Sequence, residues 1–388
     1  MCIRDSLLAP GPTPVPPEVL LAMASPIIHH RTPQFSEIFR AAAQGSKRMF
    51  GTEQPVMMIA STGTGGMEAS LTNTLSPGDA VIVVEGGKFG ERWSEIADRY
   101  CLRVTPVKCE WGTAVDPAAV AQALADTPDA RAVLVQASET STTVLHPIAE
   151  LAALTRDRDC LLIVDGITSV GVVDMPMDET GIDILVTGSQ KAMMLPPGLA
   201  LVSLSEKAWR FNESALLPRY YLDLAKERKN LANDTSSYTP AVSMIVGLRA
   251  VYELIDANGG FPAVYHRHRV LAEATRAGIE AIGLRLLAPD APSPAATGFW
   301  LPEGIDGGPL GKHLRDTMGV TVAGGQGHLK GKIMRLAHIG YADTFDVIVG
   351  LSAIEMALAE FGHPVEFGRG AAAAQQLLNR EYKRESSS

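Results

Sequence analysis

The sequence predicts an α/β protein: a large domain on a mostly parallel seven-stranded sheet, followed by a smaller C-terminal α+β domain. Three observations carry this reading. From Pro55 to about Ser203, short β-branched apolar runs alternate with helical patterns, the signature of βαβ units. After the polar, loop-like stretch KERKNLANDTSSYTP a second, shorter succession of helices and strands begins. At 388 residues the chain is also longer than one simple core serves. The expected division is an N-terminal arm over 1–18, a large domain over 19–257 and a small domain over 258–388.

Taken in order, the strands of the large domain are expected at Val56 to Ala60, Ala80 to Val84, Leu102 to Val107, Arg131 to Val135, Leu161 to Val164, Ile182 to Val186 and Leu199 to Leu204. Between them GMEASLTNTL, ERWSEIADRY, DPAAVAQALADT and PIAELAALTRDR read as helices, and Asp116 before Pro117 is an N-cap followed by proline at the first helical position. Longer helices are expected from Val242 to Ala257 and from Pro262 to Gly283, with DANGG as the hinge between them. The small domain then has strands near Leu284 to Leu287, Gly298 to Leu301, Val320 to Val322 and Ile333 to Ala337, and helices near Pro309 to Met318 and Phe345 to Phe361. RGAAAAQQLLNREYKRESSS reads as one more exposed helix with a frayed serine tail, and the opening MCIRDS as a disordered or extraneous leader.

A net charge of -9 without a Lys/Arg run speaks against nucleic acid and anionic membranes as partners. Cys2, Cys101, Cys109 and Cys160 form no C-x-x-C pair, so neither a zinc site nor a disulfide framework is expected, and a reducing cytoplasm fits. No metal site is expected.

Ligands of open parallel sheets gather at the carboxyl ends of the strands. Asp165, Lys191, Thr140 and the loop STGTGG all follow such ends. A lysine held in a semi-apolar pocket has a depressed pKa, and its neutral amine can form a Schiff base with an aldehyde such as pyridoxal phosphate. That cofactor needs a carboxylate near its ring nitrogen, for which Asp165 is the candidate, although a turn aspartate before Gly166 is the plain alternative. Its phosphate needs a cradle, which Gly63, Thr64 and Gly65 at a helix N-terminus supply. Phe89 is the candidate stacking ring, against a simple core role. Arg335, inside the apolar run KIMRLAHIG, suits a substrate carboxylate, against an internal salt bridge.

Together these residues resemble the class V, fold type I aminotransferases, and within them the alanine-glyoxylate and serine-glyoxylate group. The resemblance runs in order through APGPTPVPPEVL, HHRTPQF, STGTGGMEASLTNTLSPGD, GGKFGERW, SETSTTVLHP, VDGITSVG, TGSQKAMMLPPG and GGQGHLKGKIMRLAHIG. It implies that Lys191 bonds the aldehyde of pyridoxal 5'-phosphate, that Gln190 contacts the phosphate or orients the lysine, and that Asp165 pairs with the ring nitrogen. Thr64 and Gly65 would hold the phosphate, Thr140 would bond near the ring hydroxyl, Phe89 would stack where relatives carry tryptophan, and Arg335 would take the substrate carboxylate. Thr239 matches a residue that reaches the phosphate of the other subunit, which implies a homodimer. Ser236 departs from a tyrosine of some relatives, with Tyr238 close by.

The implied reaction is ping-pong transamination, with Lys191 as general base at Cα and glyoxylate as acceptor. Alanine and serine are the expected donors; ureidoglycine-glyoxylate and aspartate or pyruvate types remain open. A cysteine desulfurase-like lyase is disfavoured by Gln190, where those enzymes usually carry histidine. An NAD-dependent dehydrogenase is suggested only by GTGGME and Glu85, and would leave Lys191, Asp165 and Arg335 without a role.

Overall fold

The computed structural model describes residues 5–385. Seven strands form the central sheet: β1 (Val56–Ala60), β2 (Ala80–Glu85), β3 (Arg103–Lys108), β4 (Ala130–Gln136), β5 (Leu161–Asp165), β6 (Ile184–Gly188) and β7 (Leu199–Leu204). Their spatial order is β1-β7-β6-β5-β4-β2-β3. The strands from β2 to β6 pair in parallel, whereas β7 runs antiparallel to both β1 and β6. The sheet is therefore mixed rather than simply parallel, because β6 and β7 are joined as a hairpin and not by a helical crossover.

Its two faces are covered by separate apolar clusters, one holding Phe35, Val133, Leu162 and Leu248, the other Met57, Val81, Trp93 and Ile163. Consecutive residues of one strand enter opposite clusters, as the two-residue period demands: Val133 faces one and Leu134 the other. Burial on both faces explains why these strands read as continuous apolar runs.

The helices that position the site are α1 (Pro33–Phe50), α2 (Gly63–Thr72), α3 (Lys88–Arg99), α4 (Leu224–Leu231), α5 (Val242–Ala257), α6 (Gly260–Ala281), α7 (Thr344–Glu360) and α8 (Arg369–Glu385). Three depart from expectation: α1 lies where no helix was expected, and two others differ in character. KERKNL, expected as loop, is the body of α4, capped by the Asp223 side chain accepting from Lys226 N, and α8 is not simply exposed, since Ala374 and Leu378 are buried in the small unit's core. Leu284 to Leu287 is not a strand; only an isolated bridge from Leu286 to Phe299 forms.

The C-terminal unit carries a three-stranded antiparallel sheet, β8 (Ala296–Trp300), β9 (Ala323–Gly324) and β10 (Ile333–Ala337), with β10 in the middle. Residues 1–4 of the expected leader MCIRDS lie outside the described residues; beyond them the chain is paired and packed, since Ser6 and Leu7 form a strand parallel to Val320 and Thr321 and Leu8 is buried in the C-terminal core. Of the four cysteines, Cys2 also lies outside the described residues, and Cys101, Cys109 and Cys160 are free thiols. No helix among the described residues is long and apolar enough to cross a membrane.

Candidate active site

The carboxyl ends of β1, β4, β5 and β6 open on one cavity of about 350 Å³. Gly63, Thr64, Phe89, Thr140, Asp165, Gln190 and Lys191, chosen from the sequence, all line it. Gly65, Arg335 and Thr239 do not line it.

Gly65 sits in the first turn of α2 and is held to glycine by packing: a Cβ there would lie 2.0 Å from Ser61 Oγ. The helix starts at Thr62, whose side chain makes no capping hydrogen bond. No side chain of the cap therefore competes for the first N–H groups of α2, which, with the helix dipole, face the cavity as a ready anion site. Arg92, one turn after Phe89 on α3, donates to Thr64 Oγ1 at 3.3 Å and lies 4.7 Å over the Phe89 ring. A guanidinium beside a helix N-terminus reinforces that preference for an anion.

Lys191 lies on the loop joining β6 to β7. Ser189 closes that loop: its hydroxyl donates to Pro196 O at 2.7 Å and accepts from Leu199 N at 3.1 Å. Met194 takes a left-handed conformation at φ 53°, while its N–H donates to Lys191 O. The amine donates to Pro10 O. Burial lowers its pKa to about 8, Asp165 opposing and Arg335 and Arg92 adding to the shift. Burial also raises Asp165, at the end of β5, to about 7, against a 2.8 Å hydrogen bond from Ile167 N. A buried carboxyl poised in this way suits a cationic ring nitrogen. Gln190 Oε1 is buried without a partner. An open helix N-terminus with a guanidinium beside it and a buried carboxyl are what the phosphate and ring of pyridoxal phosphate require, so the residues fit that group.

Thr140 Oγ1 is 2.7 Å from Thr168 Oγ1, and its carbonyl accepts from Arg335 Nη1 at 2.6 Å. Arg335 also donates from Nε and Nη2 to Gly324 O. It is buried but has no carboxylate partner among the described residues, so the salt-bridge alternative does not apply. Burial lowers its pKa to about 10, with Glu139 opposing. Its remaining N–H groups stand available to an incoming anion.

Glu139 was not legible as a site residue. It is fully buried and accepts from Phe89 N at 3.1 Å, Gly90 N at 3.0 Å and Ser141 N at 3.1 Å, so it caps α3 and fixes the Thr140 loop to it. Burial pushes its carboxyl above the usual range, while these hydrogen bonds favour the anion. Its only sequence signal was its place before Thr140. Thr168 and Arg92 were equally overlooked, although Arg92 stands three residues after Phe89 and so on the same helical face.

Thr239 lies in a separate crevice with Tyr221, Ser236 and Tyr238. Tyr238 is engaged there: its ring lies 5.0 Å from that of Tyr221, and Lys226 Nζ donates to its hydroxyl at 3.1 Å. Around this region Leu216, Tyr220 and Tyr221 are exposed.

Comparison with known proteins gives the following. Residues 7–339 match the family model described as aminotransferase class-V. A soluble hydrogenase small subunit of Synechococcus sp. (strain PCC 6716) is 41% identical over 386 residues, covering 97% of this chain and 99% of the relative. The L-aspartate--glyoxylate aminotransferase of Paracoccus denitrificans is 39% identical over 386 residues, covering 97% of this chain and 96% of the relative. Among solved structures, the ureidoglycine-glyoxylate aminotransferase of Bacillus subtilis superposes with a TM-score of 0.91 at 29% identity, covering 98% of this chain and 99% of that one.

Proposed function

The chain belongs to the class-V aminotransferases, a pyridoxal-phosphate-dependent family of fold type I, and from that premise we propose that it moves an amino group from a small α-amino acid to glyoxylate in a ping-pong reaction. The observation that carries this is the convergence of Lys191, Asp165 and the open N-terminus of α2 on one cavity. Bound there, pyridoxal phosphate supplies an aldehyde and an electron-accepting ring. The chain's own residues divide the remaining work. The N–H groups at Gly63, Thr64 and Gly65, with Arg92 and Gln190, hold the phosphate. Asp165 keeps a positive charge at the ring nitrogen, Phe89 lies against the ring, and Thr140 with Thr168 offers hydroxyls at its edge. Lys191, its amine less basic through burial, moves the proton at the substrate Cα. Arg335 takes the substrate carboxylate with the N–H groups that Thr140 and Gly324 leave over.

Glyoxylate as acceptor is supported by the names of the Paracoccus and Bacillus relatives, and a small donor by a cavity of about 350 Å³ that must also house the cofactor. Alanine and serine are the donors the sequence suggests, and the Paracoccus relative adds aspartate. A homodimer is the proposed assembly. Thr239 stands outside its own chain's cavity, beside exposed Leu216, Tyr220 and Tyr221, and would complete the phosphate site of the partner subunit.

The test is the visible spectrum of the purified protein, titrated separately with alanine, serine and aspartate, with borohydride fixation and peptide mapping. Fixation on Lys191, and a band that one donor bleaches and glyoxylate restores, is the expected result. Label on another lysine, or a band that no donor alters, would overturn the proposal.

A further inference from the structure

The N-terminal segment touches both the strand of Arg335 and the amine of Lys191. At one end Ser6 N donates to Gly319 O and Leu8 N to Thr321 O, each at 2.8 Å, while Leu8 O accepts from Ala337 N at 2.8 Å. Ala337 is two residues beyond Arg335 on β10, and the Leu8 side chain is buried in the same core as Met334 and Leu336. At the other end Pro10 O accepts from Lys191 Nζ, Thr13 N donates to Gln190 O at 3.1 Å, and Thr13 Oγ1 donates to Lys191 O at 2.9 Å. Only Ala9 separates the two ends. Between them, Gly11 has a φ of 117°, and a Cβ on it would lie 2.5 Å from Lys191 Nζ and 2.6 Å from Cε. The lysine side chain thus lies flat against a bare backbone, its amine on a carbonyl one residue earlier.

We propose that Pro10, Gly11 and Thr13 are positioning residues for Lys191, and that the strand-paired Leu8 ties their position to the strand bearing Arg335. The strap makes the amine and the carboxylate clamp two ends of one short tether, so the lysine is held in register with the place where the substrate carboxylate docks. This rests on the aminotransferase reading for the lysine's role, but not for the contact itself.

The experiment uses the full chain stripped of cofactor, so it does not depend on turnover. Acetic anhydride labelling of Lys191, mapped by mass spectrometry against the other lysines, reports how firmly the amine is held. Thermal unfolding serves as the folding control. Gly11→Ala should push the side chain into the cavity and label Lys191 roughly tenfold faster, the scale of one lost charge-assisted hydrogen bond. Leu8→Ala, which touches neither the lysine nor the cavity, should also raise the labelling by loosening the tether. If Gly11→Ala does not fold, Thr13→Val replaces it, with the same expected direction. Wild-type labelling in Gly11→Ala (or its replacement) or in Leu8→Ala overturns the proposal. Failure of the aminotransferase reading would show separately, as wild-type protein that pyridoxal phosphate does not colour.

Discussion

Arg335 of the C-terminal sheet donates to the carbonyl of Thr140, on the loop after β4, at 2.6 Å across a sequence separation of 195 residues. This contact fixes the guanidinium by backbone oxygens alone and leaves it without an ion-paired carboxylate among the described residues. Arg335→Lys cannot span Gly324 O and Thr140 O and still offer a fork, so the donor KM should rise about 10- to 100-fold, the scale of one or two lost charge-assisted hydrogen bonds, with a smaller fall in kcat. Steady-state kinetics with the best donor check this; an unchanged KM would remove Arg335 from the carboxylate site.

Asp165 gives the cofactor-stripped protein a pH dependence of definite sign. Burial raises its carboxyl from 3.8 to about 7, so the folded protein keeps a proton that the unfolded chain releases. The contribution is fully present below 3.8 and is lost as pH rises through about 7. Urea midpoints of wild type and Asp165→Asn, compared at pH 5 and pH 8, should therefore diverge in favour of the variant at the higher pH. Parallel midpoints would mean that the carboxyl titrates as an ordinary one.

The Lys191 amine shifts the opposite way from its usual value, from 10.5 to about 8. Uptake of pyridoxal phosphate by stripped protein should accelerate with pH and level off above about 8, in stopped-flow absorbance, because only the neutral amine attacks an aldehyde. A plateau reached only near the pKa of free lysine would contradict the burial argument.

Phe89 is half-buried with Arg92 over one face of its ring. Phe89→Ala should weaken cofactor binding about 3- to 10-fold, the range of one aromatic stacking contact, and Phe89→Trp should keep or strengthen it. Equilibrium dialysis of the cofactor decides between this and a purely structural role, which would lower the unfolding temperature and leave affinity untouched.

Hybrid dimers test where Thr239 acts. A subunit carrying Lys191→Ala, paired with one carrying Thr239→Ala, should regain one fully competent site, made of the second subunit's lysine and the first subunit's threonine. Hybrids no better than the Thr239→Ala parent would confine that residue to its own chain.

Much of this was legible because the sheet is buried on both faces. β1, β7 and β10 have the bounds their apolar runs suggest, and Lys191, Asp165 and Phe89 follow strand ends, where an α/β sheet collects its ligands. The antiparallel course of β7 was not legible, since a strand buried on both sides has the same composition in either direction. α1 was not foreseen, although Thr32 caps it and Pro33 follows at its first turn, because its buried Phe35, Phe39, Ala42 and Met49 are interleaved with polar residues. Glu139, Arg92 and the Leu8–Thr13 strap were hidden for another reason. Their importance lies in partners 50 and 28 residues away and, for the strap, 181 residues away at Lys191 and farther still at Ala337, which no local pattern encodes.

The β6–β7 hairpin has a consequence for how the chain assembles. Gly188 and Ala200 are register partners, so Lys191 is carried on a loop closed by neighbours scarcely a dozen residues apart. Such a loop costs little chain entropy to close and can form as soon as two adjacent strands zip together. Arg335 reaches Thr140 only after most of the chain has been placed. Lys191 should therefore be placed early, by short-range contacts, and Arg335 late, by long-range ones, and a pulse of hydrogen exchange during refolding should protect the Ser189 and Leu199 amides before that of Ala337.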